Sequence, residues 1–218
     1  MCGENNNFQD FLEDVKPIKF SEPLAEILGA FKNEDEVLNY AFTDVIKMAG
    51  HVCPTVAGAY ICCQKAVEKL YPGKIPVRGE ISITVYGEPD EGVYGVMGQV
   101  FGFLTGSAPE TGFKGLGPKF KRKGLLKFST EKIDSKSMCF KFKRVDNNKT
   151  VLIKFSPWEI PFSAERGKRL GELLEAVIWE AATREEKKEF QNLWLEKVKN
   201  VLTENKIERW LKSEEMEE

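Results

Sequence analysis

Apolar positions recur at helical spacing in the first third of the chain, alternate through its middle, and return to helical spacing towards the end. Ser21, followed by Glu22 and Pro23, reads as an N-cap with proline in the first turn and predicts a short helix through about Phe31. Asn33, with Glu36 at the capping-box position, predicts a second helix whose apolar stripe is Val37, Ala41, Val45 and Met48. Gly50 stops that helix. Pro54 opens the next one with Cys53 at its cap, and Val56, Tyr60, Val67 and Leu70 line one side until Pro72-Gly73 ends it. Ala57, Gly58 and Ala59 allow close packing. Residues 50–54 are therefore a tight elbow between two helices.

The period then changes to two. Val77–Tyr86 alternates Val77, Ile81, Ile83 and Val85 with polar residues, the pattern of a half-buried strand. Gly87–Gly92 reads as a turn, and Val93–Leu104 as a closely packed helix carrying Gly95, Gly98 and Gly102. A glycine-rich loop runs on to about Pro118. Leu125–Ser129, Met138–Val145 and Thr150–Ser156 read as strands, the last two joined by a hairpin at residues 146–149. From Ser163, Leu170, Leu173, Leu174, Val177 and Ile178 mark one amphipathic helix. Thr183 with Glu186 caps another, which carries Phe190, Leu193, Trp194, Val198 and Val201. Ile207, Trp210 and Leu211 extend the apolar pattern, and Trp179, Trp194 and Trp210 read as packing anchors. This succession predicts an α+β fold: N-terminal helices packed on a mainly antiparallel sheet, followed by an amphipathic helical C-terminal tail. The expected divisions are a loose leader over 1–20, an α+β domain over 21–162 and a helical extension over 163–218.

With 42% hydrophobic and 11% aromatic residues, the 218-residue chain can bury a sizeable core. Its formal net charge of −2 carries no global attraction for nucleic acid or anionic lipid. The N-terminus lacks the basic and apolar regions of a secretory signal, and no run approaches the roughly 20 apolar residues of a membrane span. A cytoplasmic, membrane-free protein is the expectation. Five cysteines, two of them adjacent at Cys62-Cys63, suit free thiols in a reducing compartment better than a disulfide framework. No C-x-x-C pair is present, which excludes a zinc ribbon or a thioredoxin-type site.

The chain contains one histidine, within Gly50-His51-Val52-Cys53-Pro54. Imidazole and thiol are good ligands for zinc or a similar divalent transition metal. A thiolate at the first turn of a helix is also favoured by unpaired N–H groups and the helix dipole. Two ligands do not complete a zinc site. Cys62 and Cys63 lie nine and ten residues beyond Cys53 on the same helix, about 13–15 Å away, and cannot share its metal. Cys139, Asp44, Glu80 or a second subunit could supply a further ligand. Two alternatives use the same residues without that metal: Cys53 as a nucleophile or redox thiol served by His51, or Cys53-Pro54 as an axial ligand to haem.

A second candidate is the glycine-rich loop and its basic flank. Gly112-Phe-Lys-Gly-Leu-Gly-Pro-Lys119 approaches a P-loop, but Pro118 separates the last glycine from Lys119, and Phe120 replaces the magnesium-holding Ser or Thr. A nucleoside-triphosphate site is rejected. The loop suits an anionic small molecule or a pterin-like cofactor, with Lys114, Arg78 and the backbone at Gly115 and Gly117 as contacts. Phe113, Phe120 and Phe128 interleave with the lysines as in single-strand binders, but the acidic residues elsewhere argue against nucleic acid.

The string Ala49-Gly50-His51-Val52-Cys53-Pro54-Thr55-Val56-Ala57-Gly58-Ala59-Tyr60 resembles the GHxCP motif of the FmdE-like family, named for one of the subunits of formylmethanofuran dehydrogenase. The resemblance continues through Pro76–Ile81, Leu104-Thr105-Gly106 and Gly112–Gly117, covering roughly residues 35–130. It implies an α+β domain, often a homodimer, with His51 and Cys53 close to a bound metal, usually zinc. The chain departs from the family pattern at Thr55, Val96 and Gln99, where many relatives carry Gly, Cys and Asp.

Overall fold

The computed structural model describes residues 10–12, 14–33, 35–203 and 207–216. The first elements are β1 (Ile18–Phe20), α1 (Pro23–Ile27) and β2 (Leu38–Tyr40), with β1 and β2 paired antiparallel. Ile18 and Phe20 are buried in the main core, so the end of the stretch read as a loose leader is firmly packed. Helix α1 is shorter than expected and is capped by Glu22, whose Oε1 accepts from the Leu24 N–H at 3.1 Å. Ser21 cannot take that role. Its backbone is engaged with the Pro76 carbonyl and the Arg78 N–H. The helix expected from Asn33 does not start there, because Leu38–Tyr40 extends to pair with β1. It begins further along as α2 (Phe42–Ala49), where the Asp44 carboxylate accepts from the Ala41 N–H at 3.0 Å.

Helix α3 (Pro54–Leu70) is central, and eleven of its residues are buried. It lies on a five-stranded sheet formed by β3 (Ile81–Tyr86), β6 (Leu126–Ser129), β7 (Met138–Arg144), β8 (Thr150–Phe155) and β9 (Leu211–Met216). Between β3 and β6 come α4 (Tyr94–Thr105) and a small ribbon of β4 (Gly115–Leu116) with β5 (Phe120–Lys121). The sheet order is β6-β3-β7-β8-β9, and only the β3–β6 pair is parallel. Alternation places Ile81, Ile83, Val85, Phe140, Phe142 and Ile153 on one face against the helices. Phe101 of α4 meets Phe140 and Phe142 edge to face at 5.0 and 5.1 Å. Gly58 lets α3 approach the sheet: a Cβ there would sit 2.5 Å from Phe155 Cζ.

Helices α5 (Ala164–Ile178) and α6 (Arg184–Thr203) follow, with the Thr183–Glu186 capping box formed as expected. A small satellite core of Leu170, Leu173 and Leu193 joins them. Beyond α6 the apolar pattern ends in a strand rather than a helix, since β9 pairs with β8 and places Leu211 inward. Lys154 and Lys149 hold its Glu214 and Glu215 at 2.8 and 3.3 Å. Trp210 is buried and Trp194 half-buried, but Trp179 is 75% exposed and anchors nothing. The architecture is α+β, with a mainly antiparallel sheet and C-terminal helices. No helix among the described residues is long and apolar enough to cross a membrane.

Candidate functional site

The elbow forms as the Gly–Pro punctuation requires. Gly50 ends α2 at φ 71°, a left-handed conformation, and its N–H donates to the Ile46 carbonyl. Cys53 is extended, and its Sγ accepts from the Val56 N–H at 3.4 Å as the N-cap of α3. The indole N–H of Trp194 donates to the Val52 carbonyl at 2.8 Å, so α6 braces the elbow from 142 residues away. His51 is exposed while Cys53 is buried at 9%. The imidazole Nδ1 lies 2.9 Å from the Ala49 carbonyl, and a proton on Nδ1 leaves Nε2 as the free ring nitrogen.

Among the described residues, none of the further ligands considered from the sequence joins His51 and Cys53 in one group. Asp44 binds the Ala41 N–H and Lys47. Glu80 is fixed through its backbone to Val77 and Val145, and its charge acts on Tyr71, Arg122 and Arg144. Cys139 alternates with Phe140 on β7 and borders a separate hollow with Tyr94 and Asp134, and burial pushes its thiol up to about 11. Cys62 and Cys63 are wholly buried in α3, which raises both thiols well above their ordinary range. Among the described residues, no three His, Cys, Asp or Glu side chains gather into a metal-holding group. The elbow thus offers two donors from those residues, fewer than the three protein ligands of a common catalytic zinc site. That set does not fit a complete zinc centre.

A different site is built where α4 meets the loop that follows it. A cavity of about 590 Å³ is lined by Gly95, Gly98, Gln99, Gly102 and Phe103 of α4, by Gly106–Pro109, and by Phe113, Leu126 and Phe128. Its volume lies within the range of small-molecule sites, and most of its wall is apolar. Leu24 closes one side, and Met48, in the last turn of α2, brings the elbow helix to its rim. Neither His51 nor Cys53 lines it.

The polar lining is concentrated in Glu22, Arg78 and Arg122. Arg78 caps the C-terminus of α4: Nε donates to the Leu104 carbonyl at 3.0 Å and Nη2 to that of Phe103 at 2.8 Å. Its Nη1 donates to Glu22 Oε2 at 3.0 Å, and Glu22 Oε1 accepts from Arg122 Nη2 at 2.5 Å. Arg122 is only 3% exposed. Burial lowers its pKa against the raising influence of Glu22, with Arg78 adding like-charge repulsion. Of the loop contacts expected from the sequence, Arg78 lines the cavity. Lys114 is exposed, Gly115 begins β4, Gly117 is in the turn of the β4–β5 ribbon, and none of these three lines it. Sequence reasoning missed Glu22 and Arg122. A carboxylate beside a helix-opening proline and an arginine inside a basic run look like solvated residues, and nothing in the local pattern marks their burial.

No protein-family model matches the chain, and no curated protein is significantly similar to it.

Proposed function

We propose that this protein binds a small organic molecule in the cavity between α4 and the glycine loop. The observation that carries this reading is the combination of apolar walls with a few polar groups converging at one end, the usual composition of a ligand pocket. Gln99 is exposed on α4 at the cavity's lining, so Gln99→Trp narrows the entrance without disturbing the core. A fragment screen by saturation-transfer-difference NMR tests the reading. Ligands that bind the wild-type protein and are lost in the Gln99→Trp variant are expected; a hit set indifferent to the substitution contradicts it.

A second reading follows from the elbow. The contact between His51 Nδ1 and the Ala49 carbonyl is the arrangement that commonly orients a metal-bound imidazole through its other nitrogen. Together with the GHxCP resemblance, it supports a divalent metal held by His51 and Cys53. The missing ligands would come from outside the described residues, for example from a second copy in a homodimer. Elemental analysis of untagged protein is expected to show near-stoichiometric metal that falls in the His51→Ala variant. Metal-free protein whose Cys53 is selectively alkylated favours a metal-free thiol function instead.

A further inference from the structure

The polar end of the cavity is lined by more positive than negative charge. Glu22 puts one carboxylate oxygen on each arginine, and its Oε1 also accepts from the Leu24 N–H. Arg122 Nη1 is buried and, among the described residues, has no hydrogen-bond partner. A Cβ on Gly79 or Gly106 would fall 1.8 or 2.3 Å from that nitrogen, so both positions must stay bare for the guanidinium to sit there. Arg78 is 21% exposed, and only three of its five N–H groups are taken, by Leu104, Phe103 and Glu22. The ionisable groups lining the cavity are thus two guanidinium ions and one carboxylate, which leaves one positive charge in excess.

The rest of the lining has the reverse character. Gly95, Gly98 and Gly102 fall on one side of α4, where the Pro89 carbonyl, the Phe128 ring and the Ser107 carbonyl close over them, 2.1, 2.8 and 2.9 Å from where a Cβ would stand, so the apolar wall is made by Phe103, Phe113 and Phe128. Aromatic walls suit a flat apolar body, and a guanidinium fork suits a carboxylate. We propose that the cavity takes an organic monocarboxylate, its carboxylate paired with Arg78 in front of the buried Arg122 and its flat apolar part lying against Phe103, Phe113 and Phe128. A phosphate dianion would bring a surplus negative charge beside Glu22, and a cation would face two arginines. This assignment rests on the cavity being a ligand site, and the following experiment separates failure of one from failure of the other.

Full-length wild-type protein is titrated by ligand-observed NMR with 2-naphthoate, 2-naphthamide and inorganic phosphate. The naphthoate is expected to bind at least about ten-fold more tightly than the amide, to weaken several-fold at high salt, and to lose binding in Gln99→Trp. Arg78→Gln is expected to cost the naphthoate about ten-fold while leaving the amide within about two-fold. The comparison of the two ligands on wild-type protein stands whether or not that variant folds. Equal binding of naphthoate and naphthamide, both blocked by Gln99→Trp, overturns the carboxylate assignment and keeps the cavity as a ligand site. Competition by inorganic phosphate alone overturns the assignment in favour of a simple anion site. Absence of any ligand sensitive to Gln99→Trp overturns both.

Discussion

Glu22→Gln isolates the charge at the polar end of the cavity while preserving side-chain shape. Glu22 is 6% exposed and Arg122 3%, so this pair is shielded from water. At an effective dielectric constant of about 20, two unit charges about 4 Å apart attract by roughly 4 kcal/mol. The Arg78 pair is partly solvated and adds less. Neutralising Glu22 also leaves two guanidinium groups facing one another. Breaking a buried pair on one side costs about 3–5 kcal/mol, which for a chain of this size corresponds to a fall in Tm of roughly 10 °C. Urea unfolding followed by the fluorescence of the four tryptophans measures it. Glu68→Gln serves as the control, since among the described residues the ion pair of Glu68 is with the exposed Lys16 at 3.7 Å, and a change under about 0.5 kcal/mol is expected there. A Glu22→Gln loss within about 1 kcal/mol of wild type would refute the reasoning, because the triad would then contribute no more than a surface pair.

Cys53→Ser should retain stability, since a hydroxyl caps a helix at least as well as the thiol that accepts from Val56, whereas Cys53→Ala should lose about 1 kcal/mol in thermal unfolding. Gly50→Ala should cost only the left-handed strain of about 1–2 kcal/mol, because a Cβ there meets nothing within 4 Å. Gly115→Ala should cost more in the same denaturation assay, since its Cβ would lie 1.9 Å from the Phe120 carbonyl oxygen as well as at φ 86°. Cys139 should resist iodoacetamide at pH 8 in the folded protein and react once unfolded by urea, as followed by mass spectrometry. The fold holds this proton where the free chain releases it, so the contribution is full below about pH 9.0 and declines as pH rises towards 11.

The elements with strong local punctuation were legible in the sequence. Gly50, Cys53 and Pro54 marked the α2–α3 elbow, and Thr183 with Glu186 marked the start of α6. Elements fixed by distant partners were not. Leu38–Tyr40 extends because Ile18–Phe20 pairs with it, and the acidic segment Leu211–Met216 becomes a strand because β8 offers an edge carrying Lys154. The same limit applies to the site. Arg78 could be proposed as a contact for a ligand on the glycine loop, but the burial of Arg122 arises from Gly79, Gly106 and Glu22 meeting across 100 residues of chain. His51 and Cys53 stood out as residue types, yet one is exposed and the other buried, and neither lines the cavity.

A crystal of the full-length protein soaked with 2-naphthoate tests the central claim most directly. The account predicts difference density inside this cavity against Phe103, Phe113 and Phe128, with the carboxylate within hydrogen-bond distance of Arg78. Density placed outside this cavity, or a naphthoate whose carboxylate turns to solvent away from both arginines, would contradict it.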